Sequence, residues 1–215
     1  MSIFYFYLMV LLLIFILLCK GLSFSLKFAT VKIKLISIFA FALLFLRYIS
    51  LLIFLLTKPI TYLYVLKPFY FLNLLCLPVL ALVSIYILAR QDNFKLNYCI
   101  AFSIVLLIGY IAIILKLPAV IELYKNTGYK MYFLHGRTIE TAYMIVNTIF
   151  LFFSIMLFGN KKSSSTGVWL IFISALTSIA DIMTNIMGIS ILPVMILGEA
   201  FWLITIDYAL YKLKK

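Results

Sequence analysis

Histidine occurs once in this chain, at His135, and Asp and Glu together number six in 215 residues. Those scarcities remove several chemistries. A multi-histidine zinc site is excluded, and no HExxH run exists. Intramembrane serine proteolysis needs a histidine facing a serine within a span, and none is available there. Three cysteines, Cys19, Cys76 and Cys99, lie within or at the edge of apolar runs and offer no disulfide framework. Phosphate-cradling loops of the GxxxxGK[ST] or GxGxxG kind are missing. Retinal attachment would need a lysine in the final span, yet after Lys162 the next lysine is Lys212. No cofactor and no metal are expected.

What is present is apolar. Hydrophobic residues make up 67% of the chain and charged ones 11%, with a mean hydropathy of +1.25. A soluble domain uses fewer than half its residues this way. At roughly 20 apolar residues per span, this composition suffices for about seven crossings. The expected fold class is therefore all-α: one transmembrane helical domain over residues 1–215, a multi-pass integral membrane protein. The expected spans are 3–19, 35–56, 68–88, 98–115, 138–158, 168–187 and 191–211. The first is read as permanent, because no basic residue precedes it and Cys19-Lys20-Gly21 is not a small-residue cleavage site.

The connections follow from punctuation and charge. Lys20, Lys27, Lys32 and Lys34 are expected in the first loop. Lys58-Pro59 and Lys67-Pro68 mark helix boundaries, since proline disfavours helix in the residue before it. Arg90, Asp92 and Lys95 sit in a short turn, 116–137 is the longest loop, and the run from Gly159 through Asn160 to Ser165 is a turn.

A formal charge of +12 would suggest nucleic acid in a soluble chain. Here all cations but Arg47 lie between or after apolar runs, where they anchor helix ends, so nucleic acid is excluded as a partner. Lys and Arg number 11 on one side and 6 on the other. By the positive-inside rule the N-terminus is expected outside and the C-terminus in the cytoplasm of a cell-membrane protein. With no soluble output domain recognised, function is expected in the bundle, its loops or a separate partner.

Leu77-Pro78-Val79 in the third run matches Leu192-Pro193-Val194 in the seventh. The three-plus-one-plus-three arrangement of small sugar transporters and retrieval receptors would give those two spans one orientation. The eight residues Phe41 to Tyr48 (FALLFLRY) resemble a segment of the retrieval receptors. No further motif extends the likeness, and no family is assigned.

Polar side chains inside a bilayer are costly enough that their placement is informative. In the sixth span Ser174, Thr177, Ser178, Asp181, Thr184, Asn185 and Gly188 fall on one arc, with Ile179 and Ile182 expected on the apolar remainder. Glu140, Tyr143, Asn147 and Ser154 share a face of the fifth. Glu199, Trp202 and Thr205 form a stripe on the seventh, and Asn73, Cys76 and Ser84 mark the third. The first span has nothing comparable and is expected at the periphery.

Counting about 1.5 Å per residue puts Arg47, Asp181 and Glu199 in one layer of the outer half. Two acids and one base leave one acid unpaired, to be protonated, hydrated or matched by a cation. Asp207 lies deeper and is expected to be solvated near the cytoplasmic interface. The candidate ligand-binding residues are Arg47, Asp181, Asn185, Glu199, Trp202, Glu140 and Asn147.

Binding or transport of a small polar or cationic solute through a polar centre in the outer half is the first functional reading. A non-catalytic accessory subunit of a larger membrane complex is the alternative, and an intramembrane enzyme using carboxylates ranks third. The expected partners are the lipid bilayer, such a solute, and a membrane-protein partner or second copy.

Overall fold

A computed structural model describes residues 2–57, 61–89, 96–124, 128–134, 136–159, 163–189 and 192–214. The Lys58-Pro59 boundary, the turn carrying Arg90, Asp92 and Lys95, His135 and the Asn160 to Lys162 turn lie outside the described residues.

The described residues form a helical bundle, long and apolar apart from the single turn α3: α1 Ser2–Phe28, α2 Val31–Leu56, α3 Lys67–Tyr70, α4 Asn73–Ala89, α5 Leu96–Lys116, α6 Gly136–Phe158, α7 Ser165–Ile186 and α8 Ile196–Tyr211. Among the described residues, six segments are long and apolar enough to cross a membrane, and the chain is membrane-embedded. Helices suit that setting because they satisfy every backbone polar group internally, where no water can.

The expected spans shift in three places. The first helix runs on to Phe28, so Lys20 and Lys27 are helical rather than in a loop, and Lys32 and Lys34 lie in the first turn of α2. Lysine is a good helix former whose stem covers apolar surface while the ammonium reaches outward. The third span is broken: a 3₁₀ turn Thr61–Leu66 leads into α3, with Pro68 in its first turn, and α4 starts only at Asn73. The seventh helix begins at Ile196 instead of residue 191, after an irregular stretch containing Pro193. At 16 residues it is about 24 Å long, short of the roughly 30 Å hydrocarbon core. It packs on α7, α1 and α4, which enclose most of its length.

The long connection is not loop but an antiparallel hairpin, β1 Ala119–Leu123 and β2 Tyr129–Phe133, with Ile121 opposite Met131 and Glu122 opposite Lys130. Alternation puts Ile121, Met131 and Phe133 on a buried face. Gly128 has φ +90°, and a Cβ there would lie 2.6 Å from the Phe54 carbonyl oxygen, so glycine is what lets the turn dock on the end of α2. Phe133 stacks on Phe71 with centroids 4.0 Å apart, and the Met131 N–H donates to Tyr70 Oη at 3.3 Å. Lys67 donates to the carbonyls of Ile114 and Leu117, each at 2.7 Å, tying the end of α5 to the same corner.

Around this frame the helix faces sort as lipid and core. As expected, α1 is peripheral: Tyr7, Leu11, Ile14 and Leu18 pack inward on α2 and α8 while Tyr5, Met9, Leu12 and Ile16 face outward. On α7 the expected stripe is only partly the packed face. Ser174 and Ser178 are buried, but Thr184 and Gly188 are exposed, and Ile182, expected on the apolar remainder against lipid or apolar neighbours, is fully buried. The buried arc of α7 is Val168, Ile171, Ala175 and Ile182 with the two serines, because small residues let α8 approach closely and isoleucine fills the remaining space. A Cβ on Gly198 would lie 2.6 Å from Ser178 Cα.

Candidate functional site

Arg47 is 1% exposed in the middle of α2 and must be matched there. It forms an ion pair with Glu199 of α8, and its Nε donates to the Tyr70 carbonyl at 3.1 Å. Tyr48 Oη donates to Glu199 Oε2 at 2.6 Å, and Asn73 Nδ2 to Oε1 at 3.3 Å. Glu199 is thus held by three side chains from α2 and α4, each supplying a donor. Such a fully connected cluster is the form in which a buried charge pair is tolerated.

Asp181 does not reach Arg47. Its Oδ2 accepts the Gly198 N–H at 2.8 Å, placing a carboxylate at the N-terminal end of α8, where the orphan amides and the helix dipole favour negative charge. The three charges expected in one layer do occupy one level, since Gly198 directly precedes Glu199, yet only two of them pair. Trp202 and Asn147 also go elsewhere: the indole N–H donates to Asn147 Oδ1 at 3.2 Å and Asn147 Nδ2 donates to the Tyr143 carbonyl at 2.9 Å. That pair ties α6 to α8 in the core. Thr205 does the same for α7, with its hydroxyl 2.7 Å from that of Ser174.

Glu140 and Asn185 meet at the hairpin. Lys130 Nζ of β2 donates to Asn185 Oδ1 at 2.8 Å, and Asn185 Nδ2 donates to Glu140 Oε1 at 2.5 Å. This row of cation, amide and carboxylate lines a cavity of about 90 Å³ between the hairpin, α6 and the irregular stretch before α8, with Asn73, Tyr143 and Arg47 deeper in its wall. Burial holds the Lys130 ammonium below its usual pKa, with Glu140 and then Glu122 opposing that shift. The cavity therefore offers a partly desolvated cation and an anion a few ångströms apart, bridged by an amide that can both donate and accept.

Of the seven candidate residues, Glu140, Asn185 and Arg47 line this cavity, Glu199 lies behind it, Asp181 lies beside it, and Trp202 and Asn147 are withdrawn into packing. Sequence reasoning missed Lys130, Tyr48 and Tyr70. For Lys130 the visible signal was the alternation on either side of Gly128; for Tyr48, only its adjacency to Arg47. Asp207, expected to be solvated, is instead buried at 7% exposure, because α1 continues past Gly21 and covers it. No family model, curated protein or solved structure matches this chain.

Proposed function

We propose that this is a multi-pass protein of the cell membrane that binds or transports a small polar or cationic solute, taken from the side bearing the hairpin. The observation that carries this reading is the Lys130–Asn185–Glu140 row along a cavity wall. Ion pairs that serve only packing close directly on themselves, as Arg47 and Glu199 do. Here the cation and the carboxylate are held apart by an amide, and among the described residues each keeps hydrogen-bonding capacity beyond its bond to Asn185. Glu140 is the group for the cationic part of the solute, in place of Asp181, which is engaged by α8. The N-terminus and the hairpin are assigned to the outside on the balance of basic residues.

The test is thermal melting of the purified chain in detergent against a panel of small amines, amino acids and neutral polyols. At least one class should raise the melting temperature of the wild type and not of Glu140→Gln, whose own melting should change little. The accessory-subunit reading draws on α5, which packs chiefly on α4 and exposes most of its surface. If no solute stabilises the chain while a second membrane protein purifies with it at fixed stoichiometry, that reading replaces the first.

A further inference from the structure

Away from the cavity, α8 carries a second polar cluster. Neither carboxyl oxygen of Asp207 has a hydrogen-bond partner among the described residues, and the hydroxyls of Ser25 on α1 and Ser37 on α2 also lack one. Both serines are fully buried. Elsewhere the chain treats helical hydroxyls differently: Ser23, Ser84, Ser103, Ser174 and Ser178 each donate to the carbonyl four residues back, the usual local solution.

Helix register brings the three unpartnered groups to one seam. A Cβ on Gly21 would lie 2.5 Å from Asp207 Oδ1 and 2.4 Å from Phe41 Cζ, so α1, α2 and α8 meet there and the glycine makes room for the carboxyl. Ser25 lies one turn beyond Gly21 on the same face of α1, and Ser37 one turn before Phe41 on the same face of α2. These helices are joined by the two residues Ala29 and Thr30 and run antiparallel, so both steps lead toward the same end of the bundle.

A lone carboxylate at such a place is far more costly than a neutral acid. A metal ion would need room and about six oxygen ligands. Oδ1 is instead packed against Gly21 and the Phe41 ring, and no group of three His, Cys, Asp or Glu stands together among the described residues. A proton needs no volume and converts the acid into a hydroxyl donor. The charged side chain whose field reaches Asp207 is Lys20 of α1; it is exposed and makes no hydrogen bond to the carboxyl, and none on α2, α4 or α7 acts on it among the described residues.

We propose that Asp207 is a proton-binding site, a neutral carboxyl at the seam of α1, α2 and α8, with the unpartnered hydroxyls of Ser25 and Ser37 one helical turn beyond the meeting of Gly21 and Phe41. It stands eight residues from Glu199 on α8, about 12 Å along the axis, and does not depend on the solute reading.

Infrared spectroscopy of the full chain in lipid nanodiscs at neutral pH tests this. The spectrum should contain a carboxylic C=O component that shifts on deuteration, is lost in Asp207→Asn and persists in Asp181→Asn and Glu140→Gln. The variant Asp207→Glu keeps a carboxyl at the seam and should shift that component in frequency without removing it, which serves even if Asp207→Asn fails to assemble. Three results would overturn the proposal: no component responding to either Asp207 variant; a melting gain specific to sodium over choline that Asp207→Asn abolishes, which assigns a metal cation; or a component appearing only in Lys20→Met, which assigns an ion pair.

Discussion

At the scale of single residues, the cost of unmatched charge decides most outcomes. Glu199→Gln leaves the Arg47 guanidinium buried without its counter-ion and should destabilise the chain by about 3–5 kcal/mol, read as a fall in detergent melting. Adding Arg47→Met to that variant should recover most of the loss, because the desolvation penalty leaves with both charges. A double variant no more stable than Glu199→Gln would show that the pair is not what holds α2 against α8. Lys130 supplies a pH test. Burial lowers its pKa and Glu140 opposes that shift, so an amine-acylating reagent should modify Lys130 at lower pH than a free lysine amine, and Glu140→Gln should lower that pH further. A shift to higher pH in Glu140→Gln would contradict the geometry. Arg47 was legible from the sequence because a charge in a 26-residue apolar helix demands a partner. Which acid answers it was not, since depth ranks Asp181 and Glu199 alike and only helix rotation separates them.

Among elements, the hairpin is where sequence and structure part. Its residues carry alternation on both sides of a glycine, but that pattern is short and sits between runs of far higher hydropathy, so it reads as loop. What stabilises it is docking on α2, α3 and the end of α5, a set of contacts brought together from distant parts of the chain. Gly128→Ala forces a side chain into φ +90° against the Phe54 carbonyl and should loosen the hairpin without melting the bundle. Amide hydrogen exchange should rise by at least tenfold over 129–133 and stay unchanged in α8. Unchanged exchange in the strand would mean that the turn does not bear on Phe54. On α7 the periodicity located a buried arc but misjudged its edges, because the enclosure of Ile182 and the exposure of Thr184 depend on neighbouring elements that no pattern along α7 alone reveals.

For the whole molecule, the testable property is orientation. Reporters active only in the cytoplasm should work when fused after Lys215 and fail when inserted near Gly128; the reverse would move the cavity to the cytoplasmic side. Membrane embedding was decided by composition alone, since 67% apolar residues cannot be covered by the polar surface of a soluble domain, and runs of about 20 residues set helix length whatever their neighbours. Tertiary structure decided what those helices do with their few polar groups. Arg47 took Glu199, Asp181 went to the head of α8, and Trp202 and Asn147 satisfied each other. Lys130, Asn185 and Glu140 were left along a cavity, and Asp207 was enclosed by a continuation of α1. Hydropathy is additive along the chain and can be read locally, whereas hydrogen-bond pairing depends on helix rotation and crossing, which are set by packing among segments up to 152 residues apart.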